Sequence, residues 1–122
     1  MDAGFRNVIL KNFQEIINRT DKGALYENFV AAEIFKAGFD VKYWRTKAGA
    51  EVDFIIESQG EVIPIEVKSM LREPEFSRSF FSFVDKYAPK KKIIVSESFA
   101  GIKKGVVFQP MFSIRRVLED KL

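Results

Sequence analysis

Two short runs, residues 52–57 and 62–68, flank Ser58-Gln59-Gly60-Glu61 and leave the chain few ways to fold there. Side chains on a strand alternate between faces. Val52, Phe54 and Ile56 therefore share one face of the first run, and Ile63, Ile65 and Val67 share one face of the second. A two-residue turn at Gln59-Gly60 pairs Ser58 with Glu61, Ile56 with Ile63, Phe54 with Ile65 and Val52 with Val67, so that all six apolar residues point into one core. A slip of one residue would split them between faces, so the apolar pattern fixes the parity of the hairpin. The same register sets Asp53 opposite Glu66, with β-carbons ~5 Å apart, an unfavourable place for two like charges. Lys68 follows two residues on. Ile55, Val62 and Pro64 surround these charges and suggest partial burial. A solvated sheet face with an incidental ion pair is the plain alternative. Two half-buried carboxylates, however, call for compensation such as a bound cation.

The remaining pattern places helices around this hairpin. Val8, Ile9, Phe13, Ile16 and Ile17 recur at helical spacing, which predicts a helix over residues 5–18. A second helix is expected over 23–37, stopped by Gly38. Strand 41–44 and a loop at 47–50 lead into the hairpin. Phe80, Phe83, Val84 and Tyr87 predict a helix over 76–87, which Pro89 ends. A buried strand at 92–95, a strand near 106–108 and a last helix after Pro110 complete the order. An α/β fold with a central sheet flanked by helices satisfies it, and 122 residues suit a single domain. On the 23–37 helix, Glu27 falls at the azimuth of Val30, Ala31 and Ile34, inside an apolar stripe, whereas Glu33 is expected at the surface. Stabilisation by the helix dipole is the simpler account of Glu27.

The chain has no cysteine and no histidine. Thiolate and imidazole chemistry is thereby excluded, and any bound metal must be a hard cation held by oxygen. No apolar run reaches the ~18 residues of a membrane span, and the first residues do not form a secretory signal. A cytoplasmic location is expected. A net charge of +3 is compatible with nucleic acid or with an ordinary lysine-rich surface.

Three segments, Lys22-Gly23-Ala24-Leu25-Tyr26-Glu27, Gly49-Ala50-Glu51-Val52-Asp53-Phe54 and Ile65-Glu66-Val67-Lys68-Ser69, resemble the motifs of PD-(D/E)XK nucleases, with an order and spacing similar to archaeal Holliday junction resolvases. The chain also resembles, over nearly its whole length, an uncharacterised family at the C-terminus of prokaryotic AAA-type ATPases. The resemblance implies a restriction-endonuclease-like core with a mixed β-sheet in the order αβββαβ. It implies that residues 1–122 are one such domain, with residues 1–20 as an N-terminal helix leading into the core, and that the chain is a C-terminal piece of a larger ATPase-type protein. It further implies a Mg²⁺ (or Mn²⁺) site in which Asp53, Glu66 and the Val67 carbonyl bind the metal. Glu27 would bind directly or through water, and Lys68 would position or deprotonate the attacking water. Val52 stands where the motif name has proline.

DNA, branched or linear, is the expected substrate. A catalytically inactive module that binds DNA or protein for an ATPase is the alternative. Arg45, Thr46, Ser69 and Arg72 are candidate nucleic-acid contacts, and Trp44 reads as core rather than as a stacking platform. Thirteen phenylalanines are many for this length, and residues 80–83 are expected to expose apolar surface suited to a homodimer.

Overall fold

The structure is a computed structural model, and it describes residues 22–121. The helix expected over 5–18 lies outside the described residues. Helix α1 (Lys22–Lys36) is followed by strands β1 (Lys42–Arg45), β2 (Glu51–Ser58) and β3 (Glu61–Val67). Helix α2 (Arg78–Tyr87) leads to β4 (Ile93–Ser96), β5 (Gly101–Lys103) and β6 (Val106–Pro110). A 3₁₀ turn (Met111–Ser113) then enters α3 (Ile114–Lys121). The six strands form one mixed sheet in the order β1-β2-β3-β4-β6-β5. Its two outer pairs and the β2–β3 hairpin are antiparallel, while β3, β4 and β6 run parallel. Strand β3 is thus where the sheet changes from antiparallel to parallel pairing.

From Ser58–Glu61 as far as Phe54–Ile65 the hairpin register is the one the apolar pattern requires, but the ladder ends there, short of the expected Asp53–Glu66 and Val52–Val67 pairs. Phe54 pairs with Ile65, Ile56 with Ile63 and Ser58 with Glu61. Gln59 and Gly60 both adopt positive φ, 54° and 80°. That is the geometry of the two-residue turns whose twist matches a hairpin.

Each face of the sheet carries its own core. On one side Ile56, Ile63, Ile65, Ile93 and Val95 pack with Val30 and Ile34 of α1 and Ile114 and Leu118 of α3. On the other, Val52, Ile55, Ile94, Val106 and Phe108 pack with Phe80 and Phe83 of α2. The hairpin's second face is therefore a buried layer, which explains why Ile55 and Pro64 are as apolar as their neighbours.

Val52 departs from expectation. It lies in the α2-side core with Ile55, not beside Phe54 and Ile56. The cause is an irregularity in the β1–β2 ladder, where Trp44 pairs with Val52 but Lys42 pairs with Ile55. Two residues of β2, Asp53 and Phe54, thus face the single Tyr43. This is a β-bulge, which turns over the strand's facing at that point.

Helix α2 begins at Arg78, two residues later than expected, because Ser77 caps it. The Ser77 hydroxyl accepts from the Phe80 N–H at 3.1 Å. Phe80 and Phe83 are buried, at 0% and 2% exposure, and so are not the apolar surface expected of residues 80–83. Of the three phenylalanines of α2, Phe81 is the exposed one. Trp44 packs edge-on against Phe83 at 5.3 Å and Tyr87 at 6.4 Å, as a core residue does. Glu33 is not a surface residue either. Its side chain is 12% exposed and lies 3.6 Å from Arg115 of α3, which ties α1 to α3. The sequence pattern gave no sign of β5, a three-residue edge strand with Ile102 exposed.

Candidate active site at the β2 bulge

The bulge decides where Asp53 points. Its carboxylate Oδ2 accepts the backbone N–H of Val67 at 2.8 Å, so a side chain closes the hairpin beyond the Phe54–Ile65 pair. Burial pushes the Asp53 carboxyl above its ordinary value, and the nearby Glu51 charge adds to this. The Val67 N–H and the Lys68 ammonium act the other way and favour the carboxylate. Desolvation is the largest of the four effects. Asp53 is thus a partly desolvated carboxylate that gains from nearby positive charge.

Glu27 and Asp53 line one cleft of about 230 Å³ together with Tyr43, Arg45 and Glu51. Glu27 is exposed rather than embedded in the apolar stripe of α1, because Val30 and Ile34 fill the core contact. Arg45 pairs with Glu51 at 3.1 Å and places its guanidinium 5.1 Å from the Tyr43 ring. Thr46 is held in the loop before β2. Its hydroxyl accepts from the Ala50 N–H at 3.1 Å, and its own N–H donates to the Ala50 carbonyl at 2.9 Å. Gly49 supplies the positive φ, 96°, that this tight loop uses.

Glu66 takes a different course. It is 6% exposed and reaches the start of α2, where the Ser77 hydroxyl donates to Oε1 at 2.5 Å and the Ser77 N–H reaches Oε2 at 3.5 Å. A carboxylate at a helix N-terminus is favoured by the helix dipole and by the cap donors. Lys68 and Ser69 open onto a second cleft, of about 490 Å³, with Ser77, Phe76 and Glu75. Arg72 is exposed.

The structure therefore brings Glu27 to Asp53 and Lys68 to Asp53, and joins Glu66 to Ser77. Among the described residues, no group of three acidic side chains is gathered as a metal cluster. The donor set still suits a hard divalent cation. The carboxylates are oxygen ligands, and Asp53 carries a burial cost that the Val67 N–H and Lys68 offset only in part and that a cation would offset further. Glu66 would need to leave Ser77 to join it.

Two residues outside the expected site belong to its frame. Ser77 holds Glu66, as described. Tyr26, adjacent to Glu27, hydrogen-bonds Glu97 at the end of β4. Burial first, and then the Glu97 charge, push the Tyr26 phenol above its ordinary value. The only sequence signal for Ser77 is a helix-capping residue before an apolar-periodic stretch. Nothing local in the sequence marks Glu97.

Among the described residues no helix is long and apolar enough to cross a membrane. Neither the curated proteins nor the solved structures contain a match to this chain. One family does match, over residues 22–113, from the first turn of α1 to the 3₁₀ turn before α3. The two motif-bearing strands and both clefts lie inside that span, and the chain belongs to this family, described as a domain of unknown function (DUF4143).

Proposed function

We propose that this domain is a restriction-endonuclease-like nuclease of the PD-(D/E)XK kind, hydrolysing DNA phosphodiester bonds with Mg²⁺ or Mn²⁺. The observation that carries the reading is the half-buried Asp53 carboxylate with Lys68 acting on it, set at the β2 bulge and bonded to β3, the strand at which the sheet changes pairing. Asp53, Glu66 and the Val67 carbonyl would hold the cation, with Glu27 bound directly or through water. The cation supplies a hydroxide at neutral pH and charge neutralisation at phosphorus. Lys68 contributes a compact positive charge that orients a phosphate oxygen and stabilises negative charge as it develops. Arg45, on the rim of the Asp53 cleft, adds a second cation for the polynucleotide backbone.

A second reading has its own support. The 2.5 Å bond from Ser77 to Glu66 is what a purely structural glutamate would make. On that reading the domain is an inactive DNA- or protein-binding module serving an AAA-type ATPase. Cleavage of labelled linear, flap and four-way-junction DNA with Mg²⁺ or Mn²⁺ separates the two. The nuclease reading expects cutting by the native protein, loss of cutting in Asp53→Asn, and slower cutting in Lys68→Ala. Equal cutting by native protein and Asp53→Asn would reject it, as would no cutting of any substrate.

A further inference from the structure

The positive charge of the chain is concentrated in one stretch. Between residues 68 and 92 there are seven lysines and arginines against three acidic residues, a surplus of four. The chain as a whole has a surplus of three, so everything outside this stretch is slightly negative. The stretch runs from the Lys68 cleft, along α2, to Lys92.

Aromatic side chains are interleaved with these cations. Phe76 lines the Lys68 cleft. Phe81 lines a neighbouring cleft of about 420 Å³ that runs past Val84, Asp85 and Pro89 to Lys92. The two rings are parallel within 2°, with centroids 6.4 Å apart, so they form a common wall between the clefts. Phe81 is 54% exposed and Met70 is 61% exposed, although Phe80 and Phe83 on the opposite face of the helix are buried. Residues 81, 84, 85 and 88 recur at spacings of three and four, so the second cleft follows one face of α2. The ten residues of α2 span about 15 Å at 1.5 Å per residue. Lys103, on the edge strand, reaches across to the Pro74 carbonyl at 3.2 Å and adds a cation beside the first cleft.

Burial does not account for an exposed ring at this place, and a duplex offers it little to stack on. An unpaired base does, because every base has a π-face, and the flanking cations suit the phosphates of the same strand. We propose that the α2 face, from Lys68 past Phe76 and Phe81 to Lys92, is a binding track for single-stranded nucleic acid. This deepens the nuclease reading and rests on it for the polynucleotide. It names the substrate as DNA with an unpaired segment, such as a flap or a splayed end, led along α2 toward Asp53.

Binding is measured without divalent metal, so that it does not depend on cleavage. Fluorescence anisotropy in EDTA compares a labelled oligothymidylate of about twelve nucleotides with a duplex of equal length. The native protein is expected to prefer the single strand. Phe81→Ala is expected to weaken single-strand binding about tenfold, and Phe81→Tyr to retain it. The exposure of Phe81 predicts unchanged thermal unfolding for both variants. Lys92→Glu, at the far end of the Phe81 cleft, is expected to flatten the salt dependence of binding. Equal affinity for duplex and single strand that ignores Phe81→Ala would overturn the track. Absence of oligonucleotide binding at low salt would also overturn it and assign the exposed Phe81 face to a protein partner. Cutting of duplex DNA without single-strand binding would reject the track alone. Single-strand binding without any cutting would reject the nuclease reading alone.

Discussion

Replacing Ser77 by alanine tests how Glu66 is held, and its cost can be worked out bond by bond. The Ser77 hydroxyl accepts the Phe80 N–H at 3.1 Å, and loss of such an N-cap costs about 1 kcal/mol. The same hydroxyl donates to Glu66 Oε1 at 2.5 Å. Glu66 is 6% exposed, so its carboxylate would keep only the 3.5 Å contact from the Ser77 N–H. A hydrogen bond to a charged group contributes roughly 1.5–3 kcal/mol. Together the loss is about 3 kcal/mol, which lowers the urea midpoint of a domain this size by about 1 M or more. Ser77→Thr keeps the hydroxyl and is expected to unfold near the native midpoint. Glu66→Gln, combined with Ser77→Ala in a double-mutant cycle, is expected to show coupling of about 1 kcal/mol or more. A midpoint unchanged in Ser77→Ala, or additive effects in the cycle, would refute the assignment of Ser77 as the anchor of Glu66. The variant also separates the two functional readings. A Glu66 freed from Ser77 is expected to bind Mn²⁺ more tightly if it is a ligand, and to change only stability if it is not.

Other perturbations give equally definite outcomes. Ala88 closes α2 in the left-handed region, φ 46° and ψ 52°, which glycine adopts without strain, so Ala88→Gly should stabilise the domain by about 0.5–1 kcal/mol in thermal unfolding. Asp53 has a raised folded-state pKa. The folded chain therefore binds its proton more tightly than the unfolded chain, and the stability this contributes is present below the unfolded value and lost as pH rises through the folded one. Asp53→Asn should thus be more stable than the native protein at neutral pH and lose this advantage in acid, as followed by urea unfolding across pH 3–7. Phe108 is fully buried, and Phe108→Ala should cost about 3–5 kcal/mol in the same assay.

The hairpin was legible because alternation of apolar residues leaves a single parity, and the Phe54–Ile65 and Ile56–Ile63 pairs follow from it. The bulge was not. It comes from a mismatch between β1 and β2, and neither strand's own pattern contains it. Val52 looked like a member of the Phe54 face because alternation is a local rule, whereas the inserted residue is a property of the pair. Burial on both faces was only half visible. The apolar Ile55 and Pro64 hinted at it, but the α2 layer that covers them comes from residues far along the chain. The candidate site residues stand out in the sequence only as types and spacings. Their orientations depended on partners, Ser77 for Glu66 and the Val67 N–H for Asp53, and no spacing rule supplies those. For α2 the helical spacing of apolar residues was correct. It put Phe80 and Phe83 on one stripe and left Phe81 off it, and the first two are buried while Phe81 is exposed; the expectation of apolar surface across 80–83 set that spacing aside.

The central claim is that Asp53 and Glu66 hold one divalent cation. Calorimetric titration of the native protein, Asp53→Asn and Glu66→Gln with Mn²⁺, each variant first shown to be folded, tests it most directly. The account predicts a single site in the native protein that weakens sharply in both variants. Mn²⁺ affinity unchanged by both substitutions would contradict it and leave Glu66 as the structural cap of α2.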